Sequence, residues 1–150
     1  MEIRKANLTD TKSLFKVISD CIIKTHSELY PPKDMQETLN NYTLEKIKKH
    51  IETNNYFVAE TDKELVGCVL TVKNNMKSLY VSPNRMREGI GRALLVKAEQ
   101  CVKSEGYNEI NLWSSLMAHE FYKRNGYIDT GEVPNENGLI LHYDMKKILN

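Results

Sequence analysis

Between Met76 and Gly106 the chain runs from a short apolar strand through a basic glycine turn into an amphipathic helix, and no other stretch limits the fold as strongly. Met76 to Val81 reads as a strand that stops at Ser82-Pro83, because proline has no N–H to continue a ladder. Gly89 to Ser104 then puts Leu94, Ala98, Cys101 and Val102 on one helical face, and Gly106 supplies the stop. Glu109 to Trp113 follows as another strand, which completes a β-α-β unit with a parallel pair at its centre.

The flanking segments decide what surrounds that unit. Glu2 to Ala6 reads as a strand, and Thr9 or Asp10 as the cap of a helix striped by Leu14, Val17, Ile18, Cys21 and Ile22. Lys24 to Tyr42 contains Pro31-Pro32 and little periodicity, so it is expected to be a loop with a short helical piece. Thr43 looks like an N-cap for a helix carrying Leu44, Ile47 and Ile51. Tyr56 to Glu60 and Leu65 to Val72 form a hairpin around Thr61-Asp62-Lys63-Glu64. After Trp113 come a short helix, Ala118 to Asn125, and two strands, Tyr127 to Glu132 and Leu139 to Met145. Antiparallel runs feeding a β-α-β unit imply an α/β fold: a mixed, mostly antiparallel central sheet of about seven strands flanked by helices, in one domain spanning 1–150.

Composition removes several classes of function. With 21 Lys+Arg against 20 Asp+Glu, the formal charge is +1, so no global field recruits nucleic acid or an anionic membrane. The apolar runs are too short for a transmembrane span, and Met1-Glu2-Ile3-Arg4-Lys5 lacks the apolar region of a signal peptide. Cys21, Cys68 and Cys101 are odd in number and embedded in apolar patterns. They read as reduced core thiols, with neither a disulfide framework nor a metal site, in a cytoplasmic protein.

The turn itself, Val81 to Leu95, has the chemistry of an anion cradle. Its glycines let backbone approach a phosphate, the first N–H groups of the following helix are unpaired, and the helix dipole adds partial positive charge. Arg85, Arg87 and Arg92 add full charges, with Glu88 as an offset. A P-loop would need Lys-Ser/Thr where Gly91-Arg92-Ala93 stands, and a dinucleotide fingerprint would need a third glycine at Leu94. A diphosphate site working without metal remains.

Met86-Arg87-Glu88-Gly89-Ile90-Gly91 resembles the Gln/Arg-x-x-Gly-x-Gly/Ala acyl-CoA motif of the GCN5-related N-acetyltransferase (GNAT) superfamily, and Ala118-His119-Glu120-Phe121-Tyr122-Lys123-Arg124-Asn125-Gly126-Tyr127 resembles its Ala-x-x-Phe-Tyr-x-x-x-Gly-Phe/Tyr segment. The resemblance implies an enzyme that moves an acetyl group from acetyl-CoA to a primary amine by direct attack on the thioester. It implies that pantetheine lies between Leu79-Tyr80-Val81 and Ile110-Asn111-Leu112, with Arg87, Glu88, Gly89, Ile90, Gly91 and Arg92 along the pyrophosphate. A backbone N–H near Leu79 or Tyr80 would hold the oxyanion, and Tyr122 would be the general acid. The alternative is an acyl-CoA-binding sensor or regulatory module that keeps the fold without turnover.

Two positions depart from the family pattern. Met86 replaces the Gln/Arg donor, and Ser115 stands where many relatives have Asn to meet the pantetheine amides. On the residues alone Tyr122 is a half-buried aromatic beside a core Phe121, and Tyr80 could line the acetyl site or pack on the opposite sheet face. His26, Glu28 and Tyr30 lie where relatives shape the acceptor pocket, and they read equally as loop residues. Lys77 and Asn75 fall where some relatives place a base; a lysine is normally protonated and an amide takes no proton. His119 and His142 read as structural or solvated and Trp113 as core. The acceptor is expected to be a small amine or a peptide terminus, with a homodimer left open.

Overall fold

The computed structural model describes residues 1–150 except for the side chain of His26. Seven strands form one sheet: β1 (Glu2–Lys5), β2 (Asn55–Thr61), β3 (Glu64–Val72), β4 (Asn75–Val81), β5 (Glu109–Ser115), β6 (Ile128–Pro134) and β7 (Ile140–Ile148). Their order across the sheet is β1-β2-β3-β4-β5-β7-β6, antiparallel throughout except for the parallel β4–β5 pair. The β2–β3 hairpin turns tightly because Asp62 and Lys63 both take positive φ, 52° and 65°, which matches the twist of the strands it joins.

Both faces of the central strands are covered, which is why β2 and β3 read as nearly continuous apolar runs. Tyr56, Val58, Cys68 and Leu70 pack on Leu14, Ile18 and Ile22 of α1 (Thr11–His26) and on Ile47 of α3 (Leu44–Thr53). On the other face, Phe57, Ala59 and Val69, with Ile110 and Leu112 of β5, pack on Leu94, Leu95, Ala98 and Val102 of α4 (Ile90–Ser104). Fully burying each of the Val, Leu and Ile side chains contributes about 1.5–3 kcal/mol. Gly67 sets how close α4 comes: a Cβ there would lie 2.9 Å from Leu94 Cδ1, 3.0 Å from the Tyr80 carbonyl oxygen and 3.2 Å from Ile90 Cγ2.

The helix starts differ from the sequence expectation in detail. Asn7 caps a 3-10 turn at Leu8–Asp10, and the Asp10 carboxylate reaches back to the Asn7 N–H at 2.8 Å, so the capping box precedes α1. Thr43 does cap α3, accepting from the Lys46 N–H. The segment expected to be mostly loop is largely helical: α1 continues to His26, and Pro32–Asn40 forms α2 with proline in its first turn, a position where the missing N–H is harmless. No helix among the described residues is long and apolar enough to cross a membrane.

Candidate active site

The site begins with one extra residue. Along β3–β4, Leu70 faces Ser78 and Thr71 faces Met76, which leaves Lys77 as a bulge in β4. A bulge bends its strand and sharpens its twist. β4 accordingly pairs with β5 only at Asn75/Asn111 and Met76/Leu112, and then the strands separate. The backbone of Ser78 to Val81 therefore turns one edge toward a gap rather than toward a neighbour. The gap opens opposite Trp113 to Ser115, beyond the Ile110 to Leu112 stretch expected to border it, because the two ladder pairs close that end.

The loop expected to cradle an anion lies where β4 leads into α4. Arg87 has φ +65° and Gly89 φ +83°, so two left-handed residues flank Glu88 and curl the loop in front of the helix N-terminus. Left-handed backbone is strained for arginine and persists where surrounding structure imposes it. The first intrahelical bond runs from the Ala93 N–H to the Gly89 carbonyl, so the N–H groups of Ile90, Gly91 and Arg92 point outward. Arg85 Nε donates to both Glu88 carboxylate oxygens at 3.2 and 3.0 Å. Arg85 is thereby occupied in neutralising Glu88, and the exposed Arg87 and Arg92 carry the loop's net positive charge. Met86 is 42% exposed at the loop's edge. A Cβ on Gly91 would meet only Phe121 and Val81, at 3.6 and 3.7 Å.

A cavity of about 580 Å³ passes from the α2–α3 side of the sheet to the gap between β4 and β5. Ser78, Leu79 and Tyr80 line one wall, and Ser115, Ala118 and Tyr122 the other. Tyr122, from α5 (His119–Arg124), is 5% exposed, its ring crossed against Phe121 and Tyr127 at centroid separations of 5.2 and 5.6 Å. Burial raises its phenol well above the ordinary value, so the hydroxyl stays protonated, and it has no hydrogen-bond partner among the described residues. Tyr80 resolves toward the α1–α3 face, where its hydroxyl lies 2.9 Å from that of Tyr42. Tyr42, at the end of the α2–α3 connection, also meets Ser78 Oγ at 3.1 Å.

The other expected residues divide. Tyr30 lines the cavity, donates to the Leu141 carbonyl at 2.8 Å and accepts from the Leu116 N–H at 2.9 Å, tying the end of β5 to β7. Lys77, the bulged residue, lies at the rim. Ser115 lines the wall, with its hydroxyl turned to accept from the Ala118 N–H at 3.3 Å, the turn into α5. The His26 side chain lies outside the described residues. Glu28 is exposed. His119 is held by Asp129 at 2.7 Å and stacked on Tyr143.

Trp113 corrects the sequence reading: it is 56% exposed, not core. Strict alternation explains this, since Ile110, Leu112 and Ser114 are the buried face of β5, which sends Asn111, Trp113 and Ser115 to the other. Trp113 stacks on His142 with ring centroids 4.3 Å apart, and both line the cavity. Asp34 and Glu37 of α2, Tyr42, and His50 of α3 also line it. Nothing local in the sequence marks these, because their elements converge only in the fold. Among the described residues no three His, Cys, Asp or Glu side chains converge as a metal site would require.

A family model for the acetyltransferase (GNAT) domain matches residues 24–149. The chain belongs to the GNAT family. This acetyltransferase is 25% identical over 141 residues to a spermidine N(1)-acetyltransferase of Thermoplasma acidophilum, an alignment covering 85% of this chain and 88% of that one. Its fold is similar to that of a GCN5-related N-acetyltransferase from Rhodopseudomonas palustris, with a TM-score of 0.89 at 18% identity, covering 99% and 95% of the two chains. It is also similar to the PaiA N-acetyltransferase of Thermoplasma acidophilum in complex with coenzyme A, at TM-score 0.81 and 23% identity over 98% of each. The GNAT chain is an acetyl-CoA-dependent acyltransferase, and its mixed seven-stranded sheet is the family's fold.

Proposed function

We propose that this GNAT protein transfers the acetyl group of acetyl-CoA to the primary amine of a small cationic acceptor, with Tyr122 as general acid. The observation that carries this reading is the single cavity that joins the β4–β5 gap to the acidic rim of α2, with Tyr122 on its wall. The exposed edge of Ser78 to Val81 suits an amide-containing arm that adds to the sheet as a strand would. The left-handed loop and the outward N–H groups of Ile90, Gly91 and Arg92 suit a diphosphate, with Arg87 and Arg92 supplying charge.

In this reading the amine enters from the α2–α3 side, and its nitrogen attacks the thioester carbonyl. A backbone N–H of β4 near Leu79 or Tyr80 holds the developing oxyanion. As the C–S bond breaks, Tyr122 gives its proton to the sulfur. The dry surroundings that raise the phenol also raise the thiol, so the two remain close enough for transfer. Asp34 and Glu37, which line the same cavity as Tyr30 and Trp113, support an acceptor with an alkylammonium chain. The relative named for spermidine points the same way.

Turnover of acetyl-CoA against a panel of polyamines, aminoglycosides, amino acids and peptide N-termini tests the proposal. Fastest turnover on a diamine or polyamine is expected. Binding of acetyl-CoA with no transfer to any amine would favour a non-catalytic sensor instead, and efficient acetylation of a polybasic peptide with little on small amines would overturn the acceptor class.

A further inference from the structure

An ammonium acceptor must lose a proton before it can attack, and the reading above assigns no group to take it. We infer that His142 is the base that deprotonates the acceptor, held in position by Trp113; the inference rests on the proposed acetyl transfer.

His142 pairs with Ser115 across the β5–β7 ladder, so the two side chains project from the same sheet face into the cavity that also holds Tyr122. Trp113, on the same face, lies against the imidazole at 4.3 Å with the planes 33° apart. The stack limits ring rotation while leaving the edge free. Neither ring nitrogen bonds to another described residue, so a lone pair is open to the cavity.

His50, Asp34 and the two lysines of the cavity are less suited. His50 lines the same cavity, but its Nδ1 accepts from the Asn54 side-chain amide at 2.9 Å, which leaves the other nitrogen carrying the proton in the neutral ring. The Asp34 carboxylate is engaged by the Asn135 amide at 3.2 Å. Lys46 and Lys77 are cations.

Protonation state agrees with this geometry. Burial lowers the His142 value below that of an ordinary histidine, opposed by the carboxylate of Asp144 further along β7. The other charges facing the cavity are Asp34 and Glu37 on α2, Lys46 and His50 on α3, and Lys77 on β4. The phenols of Tyr30, Tyr42 and Tyr122 are all raised by burial and stay neutral. On β6 the residue paired with His142 is the uncharged Val133. His142 is thus unprotonated at neutral pH, as a base must be.

The protons balance. The ammonium has three and the product amide nitrogen one. The first goes to His142 before attack. The second leaves as the tetrahedral intermediate collapses and replaces the proton that Tyr122 gives to the sulfur. The N–C bond forms, the C–S bond breaks, and the one surplus proton passes from His142 to solvent.

The test uses the amine that the wild-type protein acetylates fastest in the panel above. For His142→Gln, kcat/KM at pH 7 is expected to fall about 10²-fold. The defect should shrink as pH rises toward the amine's own pKa, while CoA affinity holds, and imidazole should restore part of the rate to His142→Ala. Independently of any variant's folding, the His142 resonance of the ¹³C-histidine-labelled wild-type protein should titrate below pH 6.5, coincident with the acid limb of kcat/KM. A wild-type rate and pH profile in His142→Gln, or a resonance that titrates apart from that limb, would overturn the inference and leave acetyl transfer standing. Failure of the wild-type protein to acetylate any amine would remove both.

Discussion

The hydroxyls of Tyr42 and Tyr80 lie 2.9 Å apart with their rings crossed at 89°, and this contact joins the α2–α3 connection to the strand whose edge lines the β4–β5 gap. Tyr42 also meets Ser78 Oγ, so one hydroxyl holds two positions on β4. Tyr42→Phe keeps the ring and removes both bonds. It should cost about 1–3 kcal/mol in urea unfolding, because the Ser78 and Tyr80 hydroxyls are left without that partner in a buried setting. The acceptor's KM should rise more than that of acetyl-CoA. Unchanged stability and kinetics would mean that water replaces the hydroxyl without penalty.

Tyr122→Phe removes a hydroxyl that contributes no internal hydrogen bond among the described residues, so fold and CoA affinity should persist. If Tyr122 is the acid, kcat should fall by about 10²-fold or more. Since burial raises the phenol, it loses its proton only in strongly alkaline solution, and the wild-type rate should show no basic limb from Tyr122 below about pH 10. A wild-type kcat in the variant would return Tyr122 to the role of a packing aromatic.

The Arg87 to Arg92 loop can be tested at two positions with opposite expectations. Gly91→Ala places its methyl at ordinary contact distance from Phe121 and Val81, and should be tolerated, whereas Gly91→Glu puts negative charge into the cradle and should weaken CoA binding sharply. Met86 is exposed at the loop edge, so Met86→Gln or Met86→Arg should hold CoA affinity or improve it by up to about 1–2 kcal/mol, the scale of a charge-assisted bond. Calorimetry reads both. A large loss at Met86 would mean its thioether packs against the ligand.

Arg4 anchors the first strand by donating to Asp10 at 2.8 and 3.0 Å and to Glu60 at 3.3 Å. The Arg4 guanidinium holds the Asp10 carboxyl below its ordinary value, aided by the Asn7 N–H and opposed by burial. A depressed carboxylate stabilises the fold at pH values above its unfolded pKa of about 4, and that stability disappears as pH falls through the lower folded value. Asp10→Asn should therefore cost about 1.5–3 kcal/mol at pH 7 and progressively less below pH 4. Parallel urea titrations at pH 7 and pH 3 would show the difference; an equal cost at both would point to lost packing or capping instead of charge.

Much of this was local and therefore legible in sequence. The alternation of β4, the stop at Ser82-Pro83, the glycines at 89, 91 and 106 and the stripe of α4 are each set by neighbours within a few residues, and they mark the β4–α4–β5 unit and the left-handed turn ahead of α4. Tyr122, on the cavity wall, likewise lies in a motif continuous in the chain. The α2 helix was not legible, because its proline and polar residues give weak periodicity, and it is held by packing of Met35 and Leu39 against the α1–α3 core. The bulge at Lys77 was also invisible: it is a mismatch in register between two strands, defined only by the partner. From that one residue follow the splay of β4 from β5 and the position of the gap. Trp113, His142, Tyr42 and Asp34 come from segments far apart in sequence, and nothing in their own neighbourhoods distinguishes a cavity wall from a surface. Family membership is legible along the chain because its motifs are short-range; which side chains meet around the cavity depends on strand register and helix docking, which are properties of pairs of distant segments.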